Sequence, residues 1–167
     1  MLEFNGMDHF VTFLEATVKS RLNSIPALEW AAQAVEEEAK KEIGTYQTSN
    51  MGPYEPWAEL TSYTKEERVR AGFTENDPLL RSGELRNSIS HETDISGNEA
   101  VIGSPLDKMV YLELGTKSIP PRPVLGLAAY RSRRKIVRLV GGATIAALLN
   151  VDFSPFSSVV FQHEGTP

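Results

Sequence analysis

Residues 89–103 read Ile89-Ser90-His91-Glu92-Thr93-Asp94-Ile95-Ser96-Gly97-Asn98-Glu99-Ala100-Val101-Ile102-Gly103. Here the apolar period changes from helical to two. Ile89, His91, Thr93 and Ile95 alternate with polar residues, Ser96-Gly97-Asn98 supplies a turn, and Ala100, Val101 and Ile102 begin a second strand. Gly103-Ser104-Pro105 closes it, so the stretch predicts a β-hairpin. The flanking segments keep a helical period. The expected fold is therefore α+β: a small antiparallel sheet packed against a long helix, with N-terminal helices and a C-terminal arm.

Upstream, Met7, Phe10, Val11, Leu14, Val18 and Leu22 share one face of a helix over 7–22. That stripe is expected to face the core. A second helix is expected over 26–43, with Ser24 as cap and Pro26 in its first turn. Its apolar face is Leu28, Ala31, Ala32, Val35, Ala39 and Ile43. Glu36 and Glu37 precede Lys40 and Lys41 by four residues, and Gly44 is the stop. Residues 45–60 hold Thr48, Ser49, Asn50, Gly52, Pro53 and Pro56 and read as a loop. Its Tyr54 and Trp57 either pin the loop to the core or serve an interface. A short helix follows, with Thr64 and Glu67 at capping-box spacing and Gly72 at its end. Residues 73–82 form a connection, and Ser82 is the expected cap of another short helix over 83–88, in which Leu85 and Ile89 stack.

Downstream, residues 107–114 are apolar and short enough for either helix or strand. Residues 115–123 are irregular because Pro120, Pro121 and Pro123 crowd together. A long helix is expected from Val124 to about Val140, with Leu127, Ala128, Ile136 and Leu139 buried; Gly141-Gly142 interrupts it, and Thr144 to Leu149 can continue as a helix. A single domain is expected over 1–142, with a helical N-terminal region spanning 1–72 and a core spanning 73–142. Residues 143–167 form a peripheral arm ending in Phe153, Phe156, Val159, Val160 and Phe161.

At 167 residues the chain can bury a sizeable core, and its 41% hydrophobic and 23% charged residues are ordinary for a globular protein. Without cysteine it can hold neither a disulfide nor a thiolate metal site. A net charge of −5 gives no global field for nucleic acid. No apolar run nears the roughly 20 residues of a membrane span, and Met1-Leu2-Glu3-Phe4-Asn5 lacks a signal-peptide start. A cytosolic product that contacts no membrane is the expectation.

Chemistry is sparse. His9, His91 and His163 have no second ligand at metal-binding spacing, and no phosphate loop, dinucleotide fingerprint or nucleophile elbow occurs. No catalytic, cofactor or metal residue is assigned, and a non-enzymatic role is expected. The charge pattern is more informative. Arg122, Arg131, Arg133, Arg134, Lys135 and Arg138 fall in a stretch with no acid. The patch Arg131, Arg133, Arg134, Lys135 and Arg138 can meet DNA phosphates or an acidic patch on another subunit. It can equally be a solvated helix whose cations favour the macrodipole.

Four short pieces occur in order between residues 78 and 127. Pro78-Leu79-Leu80-Arg81-Ser82-Gly83-Glu84-Leu85-Arg86-Asn87-Ser88-Ile89 comes first, then Val101-Ile102-Gly103-Ser104. Tyr111-Leu112-Glu113-Leu114-Gly115-Thr116 and Ile119-Pro120-Pro121-Arg122-Pro123-Val124-Leu125 follow. This order resembles the virion-morphogenesis and tail-completion families of Mu-like and lambdoid phages. Leu114 stands where those families usually have an aromatic and Val124 where Phe is common, so terminator, completion factor and head–tail joining protein all stay open.

The resemblance implies a structural role in the virion, at the neck or tail end, as a homomeric ring. A hexamer is the expected form, with neighbouring neck or tail-tube proteins as further partners and DNA in the lumen as an open question. The interface candidates are Arg81, Glu84, Arg86, Gly115, Thr116, Lys117, Pro120, Arg122 and Pro123. A proline-bounded loop loses little entropy on docking, and Arg122 within it is expected to offer a guanidinium to a neighbour's carboxylate. The alternative is a DNA-contacting accessory protein using helix 131–138.

Overall fold

A computed structural model describes residues 6–22, 26–94 and 99–149, with the side chains of 18–22 left aside. Six helices and one hairpin make the mixed fold, with a two-stranded antiparallel sheet packed against the long C-terminal helix. In chain order these are α1 (Met7–Leu22), α2 (Ala27–Glu42), α3 (Ser62–Arg70), α4 (Glu84–Asn87), β1 (Ser90–Asp94), β2 (Glu99–Gly103), α5 (Asp107–Leu114) and α6 (Leu125–Leu149). The hairpin lies where the period of two placed it; its turn residues and the Ser24 cap lie outside the described residues.

The chain forms two compact units. Among the described residues, one comprises 6–22, 26–31, 93–94, 99–100 and 134–149, the other 32–92 and 101–133. The boundary at 142 falls inside α6, which runs through Gly141-Gly142 to Leu149. Two interior glycines cost about 2 kcal/mol against alanine, but burial beyond them outweighs that. Ala143 and Ala146 are fully buried in a cluster with Ala27, against which Trp30 packs. The stretch from Thr144 to Leu149 thus continues the helix, and the arm's aromatic residues lie outside the described residues.

In the larger unit, α2 buries Ala32, Ala34, Val35 and Ala39, and Ile43 just past its end is buried too. Its outer face carries the Glu36–Lys40 pair, and Lys41 pairs with Glu38 while Gln33 bonds Glu37. Gly44 ends the helix at φ +103°, and its N–H donates to Pro78 O at 2.8 Å. On α6, Leu127 and Ala128 are fully buried, and so is Leu139 in the smaller unit; Ile136 is half-buried.

Two caps differ from expectation. Thr61, not Thr64, caps α3: its extended backbone lets its hydroxyl accept the Thr64 N–H at 3.3 Å. Thr64 is already helical, so it cannot be the cap, and Glu67 instead pairs with Arg81 at 2.7 Å. Gly83 occupies the cap position of α4 at φ +81°, which an L side chain resists, and Ser82 Oγ reaches the Glu84 N–H from one residue further out, at 3.4 Å.

The stripe on α1 is the largest departure. Met7 is 72% exposed, Phe10 and Val11 are exposed too and Leu14 is half-buried, while the side chains of Val18 and Leu22 lie outside the described residues. Helical spacing correctly groups these residues on a face, but the described residues of one chain do not cover that face.

Candidate assembly surface

The tail of the four-piece segment is built around the start of α6. A helix N-terminus leaves backbone N–H groups without partners and carries partial positive charge. Glu113, at the end of α5, fills both needs. Its Oε2 accepts the Val124 N–H at 2.7 Å and the Leu125 N–H at 3.0 Å, and its Oε1 accepts the Gly126 N–H at 2.7 Å. Gly126 permits this approach. A Cβ there would stand 2.5 Å from Tyr54 Oη and 3.0 Å from Glu113 Oε1.

The chain must double back between Glu113 and Val124, and Gly115 makes the reversal at φ +74°. A Cβ there would lie 3.0 Å from both Ile119 O and Pro121. Thr116 Oγ1 accepts N–H bonds from Ser118 and Ile119 at 3.2 and 3.0 Å, and the Arg122 N–H donates to Leu112 O at 2.7 Å. The loop is rigid through its own hydrogen bonds as well as its prolines.

Arg122 does not offer its guanidinium outward. It is 6% exposed and donates to Ala58 O at 3.2 and 2.7 Å and to Glu59 O at 3.4 Å. Burial pulls its pKa below the ordinary arginine value. Its planar fork suits two adjacent carbonyls, so it ties the proline loop to the 45–60 loop of its own chain. Trp57 is buried in that loop, with its backbone N–H donating to Gln47 O at 2.8 Å, and Tyr54 packs edge-on against Tyr130 at 6.2 Å. Both aromatics therefore pin the loop.

The other interface candidates divide. Arg81 is exposed, pairs with Glu67 and lies 4.9 Å over the Phe73 ring. Exposed Glu84 pairs with Lys108 in the first turn of α5. Arg86, Lys117 and Pro120 are exposed, Thr116 is exposed but engaged, and Gly115 and Pro123 are half-buried. Sequence reasoning passed over the outer face of α5, now settled as a helix. Val110, Tyr111 and Leu114 are all more than half exposed, Leu114 at 75%, and Ile119 beyond them is exposed as well. Met109, on the opposite side, is buried. The spacing 107, 110, 111, 114 marks this face in the sequence, but only when a helix is assumed.

The basic patch is less available than a residue count suggests. Arg131 reaches Glu42 at 3.0 Å and Glu38 at 3.6 Å, and it donates to Gln47 Oε1. Arg133 lies 3.8 Å over the Tyr130 ring and donates to Tyr130 O at 2.7 Å. Lys135 is half-buried and engaged. Arg134 and Arg138 are exposed, and neither makes an ion pair with a described residue.

Arg68 is a structural anchor that sequence reasoning missed. Buried in α3, it donates to Thr74 O at 2.7 Å and Leu80 O at 2.5 Å, fixing the 73–82 connection. On the other side, His91 of β1 bonds Glu36 of α2. The Glu36 carboxyl is held below its usual range by Lys40 first and by His91, against the opposing effect of burial. Among the described residues no three His, Cys, Asp or Glu are grouped to hold a metal, and no helix is long and apolar enough to cross a membrane.

Compared with protein-family models, with characterised proteins and with solved structures, the chain matches none.

Proposed function

We propose that this chain is a structural protein of a tailed-phage neck or tail end, acting through a homo-oligomeric ring rather than through catalysis. One observation carries the reading. The segment with the phage-like order of motifs directs its polar groups inward, Glu113 onto α6 and Arg122 onto the 45–60 loop, and turns Val110, Tyr111, Leu114 and Ile119 outward. A stiff scaffold with an exposed apolar and aromatic face suits contact with other protein subunits, because little order is lost on docking. Copies of the chain, together with neck or tail-tube neighbours in the virion, are the partners proposed.

Light scattering on the purified protein tests this. A closed ring of six is expected at about 111 kDa, from a chain of 18.5 kDa. A protein that stays at the mass of one chain in solution, and is present as one copy per particle, overturns the reading.

Arg134 and Arg138, exposed and unpaired among the described residues, favour a second reading: an accessory protein of phage assembly that touches DNA along α6.

A further inference from the structure

From Leu139 to Leu149 α6 has no charged residue. Its inward stripe, Leu139, Ala143 and Ala146, is fully buried. The opposite stripe is Val137, Gly141, Ile145 and Leu148, and its three large side chains are 70%, 54% and 52% exposed. A helix that is apolar all round belongs in a covered position. Helix α1, in the same compact unit, adds Met7 and Val11 to the exposed apolar surface. With Leu149 the α6 stripe presents four large apolar side chains, roughly 400 Å² at about 100 Å² each, which is within the range of a monomer's largest apolar patch and about half of one side of a standard interface.

Gly141 is an independent sign of a partner. An interior helical glycine costs about 1 kcal/mol against alanine. A Cβ added at Gly141 meets nothing within 4 Å, so no described neighbour in its own chain requires the missing side chain. Placed between Val137 and Ile145, it makes a notch where another helix can approach closely.

We infer that this stripe of α6 is a docking groove for a second copy of the chain, whose α1 lies across Gly141. Charge selects α1 as the occupant. Exposed Arg134 and Arg138 border the stripe, and the chain holds no acid from Arg122 to Leu149. On α1, exposed Asp8 and Glu15 each stand about one turn from Val11, three residues before it and four after it, so an acidic edge meets a basic one as apolar meets apolar. Each copy offers both surfaces, so the contact is heterologous and can propagate around a ring. The inference deepens the ring reading and rests on it for closure, but needs only self-association for itself.

Three full-length variants test it: Gly141→Leu, the pair Arg134→Glu with Arg138→Glu, and the pair Asp8→Lys with Glu15→Lys. Molar mass is followed over roughly a hundredfold range of concentration, and thermal melting is recorded alongside. Each variant is expected to associate at least about tenfold more weakly than wild type. Gly141→Leu should melt no lower, because its side chain enters open space and leucine favours the helix. Mixing the two charge-reversed proteins should restore association, since an α1–α6 contact between unlike variants is again between opposite charges. Wild-type association by Gly141→Leu overturns the groove and leaves the ring reading standing. A lowered melt at unchanged mass shows that the chain's own residues 150–167 occupy the stripe, which also overturns it. Wild-type protein that never associates overturns both.

Discussion

Glu42 places a carboxylate in a buried position, and the effect can be measured. Its side chain is 3% exposed, and Oε1, although 3.0 Å from Arg131, accepts no hydrogen bond. Burial, aided by Glu38 and opposed by Arg131, pushes its pKa up to about 7 from 4.5. Between those values the folded chain holds a proton that the unfolded chain has released. Stability therefore falls as pH rises through that window, by at most about 3 kcal/mol at 1.36 kcal/mol per unit. Glu42→Gln removes the titration and leaves Arg131 its contacts with Glu38 and Gln47. It should match wild type in melts near pH 4 and exceed it near pH 8; an advantage that does not grow with pH would refute the assignment. Arg122 acts in the opposite direction. Because its guanidinium bonds Ala58 and Glu59 carbonyls, Arg122→Ala should lower the stability of the isolated chain by about 2 kcal/mol, the worth of hydrogen bonds to a charged group. Arg122→Lys keeps the charge without the fork and should recover only part of the loss in denaturant titrations.

At the scale of elements, the start of α6 depends on one side chain eleven residues upstream of the first N–H it caps. Glu113→Ala removes acceptors from three N–H groups and an anion from the positive end of a 25-residue helix. The expected loss is about 2 kcal/mol in urea unfolding, with Glu113→Gln intermediate; equal stability of all three proteins would show that water caps the helix as well. Nothing local announces this cap, since Val124 and Leu125 are preceded by Pro123 and not by Ser, Thr, Asp or Asn. Elements that rest on local periodicity were legible in the sequence: α1 spans the expected 7–22, and the hairpin falls at the change of period. Features that rest on long-range partners were not. Arg68 and Arg122 look like surface cations until the carbonyls they reach are known. The glycine pair in α6 reads as an interruption because the buried alanines after it can be weighed only in the fold. For the candidate surface, the stiffness of 115–123 was readable, while the direction faced by Arg122 and by Tyr111 was not.

For the molecule as a whole, the question is how much of its basic helix a nucleic acid can reach. Five cations stand between Arg131 and Arg138 in a chain of net charge −5. Arg131 faces Glu38 and Glu42, Arg133 lies on Tyr130, and Lys135 has its own contacts. That leaves Arg134 and Arg138 for phosphate. Each phosphate neutralised contributes about −0.9 to the slope of log affinity against log salt, so one chain should give a slope no steeper than about −2. Five available cations would instead give about −4.5. Duplex binding measured by anisotropy at several salt concentrations separates these values. The shallow slope, with affinity abolished by Arg134→Glu and Arg138→Glu together, is the expected outcome. A slope near −4.5 would require the Glu38–Arg131–Glu42 cluster to open on binding, and Glu42→Gln would then strengthen DNA affinity by removing one of the two carboxylates that hold Arg131. The same pair of arginines is claimed by a neighbour's α1, so DNA and self-association should compete: adding duplex should lower the mass of the assembled species if both contacts use this edge of α6, and leave it unchanged if the lumen of a ring presents other residues to DNA.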